Sequence, residues 1–500
     1  MSLAILYSRA GIGMDAPLVT VEVHLANGLP SMSIVGLAET AVKESKDRVR
    51  GAILNSRFEF PLRRITINLA PADLPKEGGR FDLAIALGIL AASRQIPDIG
   101  LTDYEFAAEL ALSGELRAVQ GILPMALQTT KQERTLVIAP DNVAEATLVK
   151  DARVITATHL LTLTAHLSGA ERLEYCAPLP ATRTAHTQPD LQDVRGQQHA
   201  RRALEIAAAG GHSLLMLGPP GTGKSLLASR LPGILPEMTE NEALEAAALA
   251  SISQQPVNTG RWKQRAFRAP HHTASAVSLV GGGSSPRPGE ISLAHHGVLF
   301  LDELPEFDRK VLEVLREPLE SGHIMISRAA RQATFPAAFQ LIAAMNPCPC
   351  GYLGDPSGRC HCSSEQVQRY RNRISGPLLD RIDMHVEVPR LSFNEMEGQP
   401  GEHSRVVRKR VCLARERQLE RNGTLNSRLT NSQLQQACAL ARQDRQLLQQ
   451  AMDKLQLSAR AYHRIIKLAR TIADMDTAAD IATCHLTEAI NYRRLDRPVV

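Results

Sequence analysis

The segment GPPGTGKS, residues 218–225, constrains the fold of this chain more than any other stretch. It fits the pattern G-x-x-x-x-G-K-[ST], and it lies between the apolar run SLLML (213–217) and the helical pattern LLASRL. In that context the pattern forms a phosphate-binding loop, because Gly221 and Gly223 let backbone N–H groups turn inward around phosphate oxygens. A chance glycine-rich turn would lack the flanking strand and helix. We therefore predict an α/β domain with a P-loop.

The side chains of this loop are suited to ATP and Mg²⁺. Lys224 offers a positive charge to the β- and γ-phosphates, and Ser225 offers a hydroxyl to Mg²⁺. The predicted nucleotide-binding residues are Gly218, Pro219, Pro220, Gly221, Thr222, Gly223, Lys224, Ser225 and Leu226.

Two later apolar runs end in polar residues that suit the same chemistry. The run VLFL (298–301) leads to Asp302 and Glu303, and the run FQLIAAM (339–345) leads to Asn346. We predict that Asp302 holds Mg²⁺ and that Glu303 orients the attacking water. Because neighbouring parallel strands end at one crevice, Asn346 is expected to reach the γ-phosphate or that water.

Length and composition limit the other possibilities. A chain of 500 residues is too long for one core, and 44% apolar with 22% charged residues is ordinary for a globular protein. A net charge of +5 permits a nucleic-acid partner without arguing for one. The first 17 residues lack the features of a signal peptide, and no run of about 18 apolar residues occurs. We expect a cytoplasmic protein without a membrane partner.

The periodicity predicts several segments. Strand-like alternation at Val19–Ala26 and Arg63–Pro71 is interspersed with helical patterns at Thr40–Ser56 and Phe81–Ser93. A stretch rich in Pro and Thr follows, then a second α/β region, and strand patterns cease after Leu391. The predicted division is an α/β domain at 1–168, a linker at 169–189, an ATPase core at 190–392 and a helical lid at 393–500.

The motifs of the second α/β region resemble those of AAA+ ATPases of the magnesium-chelatase class, which are also similar to MCM helicases. The matching stretches are the P-loop, LFLDE, AAMNP and SGPLLDRIDMHVEVP (375–389). The resemblance implies that Asn346 is sensor 1, that Arg460 is sensor 2, and that Arg381 is an arginine finger acting on the ATP of the next subunit. It also implies that the segment with Val194, Gly196 and Gln197 lies near adenine. For Arg381, a structural Asp–Arg–Asp network is the alternative.

Two further stretches extend this resemblance. Residues 267–297 resemble the helix-2 insert, and residues 319–339 resemble the pre-sensor-1 hairpin. In a ring, the hairpin would aim Arg328 and Arg331 at the pore, where arginines suit DNA phosphates. A solvated basic turn is the alternative. The insert also holds the pairs His271–His272 and His295–His296, for which a loop or hydrogen-bonding role is favoured over metal binding.

The N-terminal region resembles the Lon-protease-type domain, a variant of the ribosomal S5 domain 2 fold. The resemblance is carried by LAPADLPKEGGRFDLAIALGIL (69–90) and AAELALSGELRAVQGILP (107–124). The serine position of the protease dyad falls at Arg80 and the lysine position at Leu123, and neither residue can perform nucleophilic catalysis. The resemblance therefore implies a platform for binding or ring formation.

In this order, the three parts resemble one family throughout, the ComM or YifB family of magnesium-chelatase-like proteins. The resemblance implies a homohexameric, ATP-driven, helicase-like motor on single-stranded or branched DNA. It further implies a role in branch migration during natural transformation. An AAA+ remodeller or chelatase-like motor acting on a protein partner is the alternative.

Four of the eight cysteines lie in MNPCPCGYLGDPSGRCHC, residues 345–362. Cys348, Cys350, Cys360 and Cys362 form the pattern C-x-C-x₉-C-x-C, and intervening glycines would let the loop fold back. Four thiolates can complete a tetrahedral Zn²⁺ site, with His361 as a substitute ligand. We expect structural zinc. Reduced inert thiols and a redox role are the alternatives, since C-x-C is tighter than the usual C-x₂-C.

Overall fold

A computed structural model describes residues 2–37, 39–178, 188–253, 255, 259–283, 286–328, 331–355 and 358–493, with the backbone alone at 40, 41, 328 and 331. The chain divides into two compact units. The first consists of Met1–Thr184 and Ala243–Trp262, and the second of Ala185–Glu242 and Lys263–Val500. The predicted boundaries at residues 168, 189 and 392 stay predictions.

The first unit is a mixed sheet with helices. Its strands and helices up to residue 167 are β1 (Ser2–Arg9), β2 (Leu18–Ala26), β3 (Ser31–Val35), α1 (Thr40–Lys43), α2 (Ser45–Asn55), β4 (Arg64–Ala70), α3 (Asp82–Ala92), β5 (Tyr104–Ala107), β6 (Glu109–Leu110), β7 (Leu116–Arg117), α4 (Ile122–Lys131), β8 (Thr135–Ile138), α5 (Val143–Ala146), β9 (Arg153–Thr156) and α6 (Leu160–Leu167). Seven of the strands form one sheet in the order β3-β4-β2-β1-β5-β8-β9. The β1–β2 and β2–β4 pairs are antiparallel, and the others are parallel.

The sequence patterns of this unit predicted strands β2 and β4, helix α3 and the helical segment that contains α1 and α2. Buried and half-buried residues alternate along β2 and β4, because one face of each strand packs on the core. Helix α3 is buried at all eleven positions, because apolar residues occupy every face of this helix. The helical pattern predicted at Thr40–Ser56 is confirmed by α1 and α2, which together cover this segment except for Glu44 and Ser56. Between α1 and α2 the Ser45 hydroxyl donates to the Val42 carbonyl oxygen at 2.6 Å. Such a side-chain hydrogen bond competes with the backbone hydrogen bonds of a helix.

The P-loop lies in the second unit, and the α-helices and strands after residue 190 belong to this unit except for most of α9 (Glu240–Ile252), which lies in the Ala243–Trp262 part of the first unit. In chain order these are α7 (Gln198–Gly210), β10 (Leu214–Leu217), α8 (Lys224–Ile234), α9 (Glu240–Ile252), β11 (Phe267–Arg268), α10 (Ala276–Val280), β12 (Gly281–Gly282), β13 (Arg287–Pro288), α11 (Glu290–Leu293), β14 (Val298–Leu301), α12 (Arg309–Val314), α13 (Arg316–Ser321), β15 (His323–Arg328), β16 (Arg331–Pro336), β17 (Gln340–Met345), α14 (Ser364–Arg371), α15 (Gly376–Leu379), β18 (Met384–Glu387), α16 (Phe393–Glu397), α17 (Ser404–Asn422), α18 (Asn431–Ala437), α19 (Arg442–Leu455), α20 (Ala459–Met475) and α21 (Thr483–Asn491). Five strands form a parallel sheet in the order β11-β14-β17-β10-β18.

The carboxyl ends and the amino ends of the strands in this parallel sheet, here called its carboxyl edge and its amino edge, carry different residues. Strands β10, β14 and β17 are buried at every position, as expected for strands covered on both faces. The P-loop, Asp302 and Asn346 follow the carboxyl ends of these strands. Ser213 and Asp383 precede the amino ends of β10 and β18. A four-residue strand spans roughly 13 Å at about 3.3 Å per residue, so the two edges are well separated.

Strands β15 and β16 pair as an antiparallel hairpin in which Arg328 is opposite Arg331. The expected hairpin is therefore present. Its tip, residues 329–330, and the side chains of Arg328 and Arg331 lie outside the described residues. Beyond Leu391 the described residues form helices α16 to α21 and no strand, as predicted.

Among the described residues, no helix combines the length and the apolar character that a membrane crossing needs.

Candidate nucleotide-binding site

The P-loop connects β10 to α8 at the carboxyl edge of the parallel sheet. Gly223 adopts a φ of 89°, in the left-handed region that favours glycine, immediately before α8 begins at Lys224. Lys224 Nζ donates to the carbonyl oxygens of Gly218 at 2.7 Å and Pro219 at 2.8 Å, and to Asn346 Oδ1 at 3.2 Å. Burial lowers the pKa of Lys224, although nearby carboxylates act to raise it. The ammonium group therefore lies among oxygen acceptors that phosphate oxygens could replace.

The two side chains expected to hold Mg²⁺ are in contact. Ser225 Oγ donates to Asp302 Oδ2 at 2.5 Å. Mg²⁺ in proteins prefers oxygen ligands and usually retains several waters, so it takes few protein side chains. A hydroxyl and a carboxylate in contact, next to a buried lysine, are a donor set that fits Mg²⁺ bound together with phosphate.

Glu303 lies beside Asp302 in a strained conformation. Its φ is 52°, in the left-handed region, which is sparsely populated for residues other than glycine. Its backbone N–H donates to Asp302 Oδ1 at 2.9 Å. Its carboxylate is held by a histidine, with His272 Nδ1 at 3.1 Å from Glu303 Oε2. The side chain expected to orient water is therefore positioned by an imidazole.

This histidine was not predicted as a partner of Glu303. A loop or hydrogen-bonding role was expected for His271 and His272, with no particular contact. In the structure His271 Nδ1 lies 2.8 Å from Thr273 Oγ1, so the two histidines have different partners. His272 follows β11, the strand that pairs with β14, so it reaches the edge where Glu303 lies, and only this pairing brings the two residues together.

Asn346 and Gln197 complete this edge of the sheet. Asn346 lies directly after β17 and accepts the hydrogen bond from Lys224. Gln197 Nε2 donates to the carbonyl oxygens of Pro389 at 2.7 Å and Thr222 at 3.4 Å. Gln197 therefore connects the P-loop to the segment after β18. The structure brings the P-loop, Asp302, Glu303, Asn346 and Gln197 together.

Arg381 and Arg460 lie elsewhere, at the amino edge of the same sheet. Arg381 Nη2 is 2.6 Å from Glu320 Oε1, and Arg460 Nη2 is 3.7 Å from the same oxygen. The backbone of Arg381 is held at this edge, because its carbonyl oxygen accepts from Ser213 Oγ at 3.2 Å. Glu320 was not predicted, and it joins the two arginines. Its carboxylate differs from the Asp–Arg–Asp network considered as the alternative for Arg381.

Further arginines surround Arg381. A cavity of about 300 Å³ is lined by Arg381 together with Arg265, Arg415, Arg428 and Arg464. Burial, and secondarily Arg265, lowers the pKa of Arg415 to about 9. Glu242 and Asp383 line the same cavity, and three of these arginines pair with carboxylates: Arg265 with Glu242 at 3.0 Å, Arg381 with Glu320 at 2.6 Å, and Arg464 with Asp383. The amino edge therefore carries both guanidinium and carboxylate groups.

The four cysteines of residues 348–362 come together after Asn346. Their sulfur atoms all lie within 4.8 Å of one another, and none forms a disulfide. His361 does not belong to this group, and its side chain is exposed, so its expected role as a substitute ligand is not supported.

Sequence similarity to known proteins extends over nearly the whole chain. Competence protein ComM of Haemophilus influenzae is 54% identical to this chain over 99% of the chain and 98% of its own length. The chain belongs to the ComM family. The YifB protein of Escherichia coli is 50% identical over 100% of the chain and 99% of its own length. The expected family is thus confirmed.

Three family profiles match along the chain. Residues 190–396 match "Magnesium chelatase, subunit ChlI", residues 21–142 match "Subunit ChlI of Mg-chelatase", and residues 401–493 match "Magnesium chelatase, subunit ChlI C-terminal". The predicted fold class, a magnesium-chelatase-type AAA+ protein with mixed α/β architecture, is confirmed. This family implies ATP and Mg²⁺ as ligands and suggests ATPase activity.

A partial similarity concerns the N-terminal region. Lon protease 2 of Bacillus subtilis is 27% identical over 150 residues, which cover 28% of this chain and 26% of its own length. At the dyad positions, Arg80 Nη2 donates to the Gln120 carbonyl oxygen at 3.2 Å, and Leu123 is fully buried at the start of α4. Burial lowers the pKa of Arg80 to about 10. Neither side chain can act as the nucleophile or the base of a serine–lysine dyad.

Proposed function

We propose that this protein is a cytoplasmic, hexameric, ATP-driven motor that acts on single-stranded or branched DNA and promotes branch migration during natural transformation. The observation that carries the proposal is the division of an ATPase site between two edges of one sheet. The P-loop with Asp302, Glu303 and Asn346 occupies the carboxyl edge, and Arg381 with Arg460 occupies the amino edge.

The residues of the carboxyl edge would perform hydrolysis as follows. Lys224 binds the β- and γ-phosphates, exchanging its present carbonyl and amide acceptors for phosphate oxygens. Ser225 and Asp302 hold Mg²⁺, which neutralises phosphate charge when bound. Glu303 orients the attacking water, and Asn346 contacts the γ-phosphate or that water.

Assembly follows from the position of Arg381. A strand length of roughly 13 Å separates Arg381 from the P-loop of its own chain, which exceeds the reach of an arginine side chain. Arg381 Nε is buried and has no hydrogen-bond partner among the described residues. A second copy that places its P-loop against this edge would complete the site. Head-to-tail contacts of this kind close into a ring when the rotation between neighbouring subunits permits closure, and the family resemblance favours six subunits.

DNA is preferred over a protein as the substrate for two reasons. The related protein from Haemophilus influenzae is a competence protein, and competence concerns DNA uptake. In addition, the β15–β16 hairpin has arginines on both sides of its tip, Arg328 and Arg331. ATP hydrolysis by the full-length protein is measured with and without single-stranded DNA. Stimulation by DNA supports the proposal, and its absence across single-stranded and branched DNA favours a protein remodeller.

His272→Ala is expected to lower the turnover of ATP about 10-fold to 100-fold and to leave ATP affinity close to that of the parent. The reason is that a carboxylate without its partner aligns water less well, and misplacement by about 1 Å is costly. Steady-state kcat and an equilibrium ATP-binding titration separate the two quantities. His271→Ala is the matched control, since His271 contacts Thr273 and not Glu303. Equal turnover in both variants would contradict the positioning role.

The double change Arg328→Ala and Arg331→Ala is expected to weaken DNA binding about equally for all sequences. Each lost phosphate contact should also remove roughly 0.7–0.9 from the slope of log affinity against log salt. The measurement is fluorescence anisotropy with labelled DNA at several salt concentrations. Arg442→Ala with Arg445→Ala removes the same charge from exposed positions of α19 and serves as the control. If both double variants have the parent's slope, the hairpin does not contact DNA.

A further inference from the structure

We propose that Cys348, Cys350, Cys360 and Cys362 bind one zinc ion, and that this closed loop positions Asn346 and the P-loop residue Pro220 for nucleotide binding. The proposal does not depend on whether the motor acts on DNA.

The sulfur positions fit a tetrahedral ion. The Sγ atoms of Cys348 and Cys350 are 3.3 Å apart, those of Cys348 and Cys360 are 3.8 Å apart, and those of Cys350 and Cys360 are 3.7 Å apart. All four, including Cys362, lie within 4.8 Å of one another. Bonds of about 2.3 Å from one Zn²⁺ to four tetrahedral sulfurs require sulfurs about 3.8 Å apart. The arrangement therefore leaves a centre of the correct size for zinc.

The ligand set also favours zinc over other ions. Four cysteine sulfurs are soft ligands, which select zinc or iron–sulfur clusters over Mg²⁺ or Ca²⁺. Because four protein ligands fill a tetrahedral site, no position remains for water or substrate, as in structural zinc sites. The role of such a zinc ion is to hold the loop in place.

The loop connects β17, which ends at the nucleotide site, to α14. Cys348 is buried and follows Asn346 by two residues. Cys362 immediately precedes Ser363, whose side chain caps α14 with a capping box. Zinc would thereby link the end of β17 to the start of α14. Tyr370, in α14, forms a hydrogen bond with the backbone of Asn346. Burial raises the pKa of Tyr370 to about 12.

The loop also contacts the P-loop directly. Gly351 has a φ of 84°, and a Cβ atom at this position would lie 2.8 Å from Pro220 Cδ. The same Cβ would lie 3.9 Å from Asn346 Cγ. The backbone of the cysteine loop thus packs on the P-loop without space for a side chain. A shift of the loop would move Pro220, Asn346 or both.

The first experiment concerns the metal. We expect elemental analysis of the full-length protein to find about one zinc per chain. The double change Cys350→Ser and Cys360→Ser should remove it, while Cys484→Ser, at an exposed position of α21, should retain it. If the double variant does not fold, cobalt substitution of the parent provides the test, since tetrahedral thiolate-bound Co²⁺ absorbs characteristically. Metal-free parent protein without that cobalt spectrum would overturn the zinc site.

The second experiment concerns the coupling to nucleotide. Gly351→Ala should retain zinc and weaken ATP binding at least about tenfold, because the new methyl group displaces Pro220 and the backbone is strained. Gly354→Ala is the matched control, since Gly354 has a φ of 81° and no atom within 4 Å of its Cβ position. Affinity is measured with a fluorescent ATP analogue and zinc by elemental analysis. Equal ATP affinity in the two variants would overturn the coupling.

Discussion

Glu303→Gln is expected to lower ATP turnover about 10²-fold to 10⁴-fold while ATP still binds, because only the carboxylate that orients water is lost. Lys224→Ala should lower both ATP binding and turnover, since it removes the charge that contacts the β- and γ-phosphates. Phosphate release measures turnover, and an equilibrium titration with a fluorescent nucleotide measures binding. The pattern of the two variants separates water activation from phosphate binding at one edge of the sheet.

A matched control for Glu303→Gln is available three residues further on. Glu306 carries the same charge and pairs with Arg373 at 2.8 Å, so Glu306→Gln changes a neighbouring carboxylate outside the proposed machinery. It should keep turnover within a few fold of the parent. Parent-like turnover in Glu303→Gln or Lys224→Ala would refute the assignment of these two side chains.

Arg381→Ala is expected to bind ATP and to hydrolyse it about 10³-fold to 10⁵-fold more slowly, the range measured for arginine fingers in other systems. If Arg381 acts on the nucleotide of the next subunit, mixing Arg381→Ala with Lys224→Ala should restore part of the activity. In such a mixed ring, a subunit with an intact P-loop can lie against a subunit with an intact Arg381. ATP turnover is measured across mixing ratios, with assembly followed by light scattering.

Mixing Glu303→Gln with Lys224→Ala provides the control for this experiment. Both changes disable the P-loop half of the site, so no arrangement of these subunits creates a complete site and activity should stay low. Absence of rescue by Arg381→Ala in assembled mixed rings would assign Arg381 a structural role through Glu320, to which it is bonded at 2.6 Å. Glu320→Gln would then reproduce the loss seen in Arg381→Ala.

The positions of Lys224, Ser225 and Asp302 were foreseeable because local patterns determine them. A P-loop needs an apolar strand, a glycine-rich turn and a helix within about 20 residues, and all three are contiguous in the chain. Asp302 follows a run of four buried residues, and parallel strands end at one edge of their sheet. Together these rules indicate which residues meet, and the structure brings them together at the carboxyl edge.

The partners of these residues depended on the tertiary structure. His272 and Glu303 are separated by 31 positions, and only the pairing of β11 with β14 brings their side chains together. Glu320 in α13 lies far in sequence from Arg381 and from Arg460 in α20, and it contacts both arginines because their segments converge at the amino edge. No periodicity or motif encodes such contacts, since they depend on how distant elements pack.

The cysteine loop depends both on local sequence and on tertiary packing. The spacing of Cys348, Cys350, Cys360 and Cys362 in the sequence by itself predicted that four thiols can meet at one metal ion, because glycines within so short a loop permit its closure, and the structure places the four sulfurs within 4.8 Å of one another. Only the tertiary structure decided that Gly351 packs on Pro220, since that contact joins segments 131 positions apart. The metal ligands lie close together in the sequence, so local spacing predicts their site. The contact that would couple the metal to the nucleotide arises from the packing of β10 beside β17.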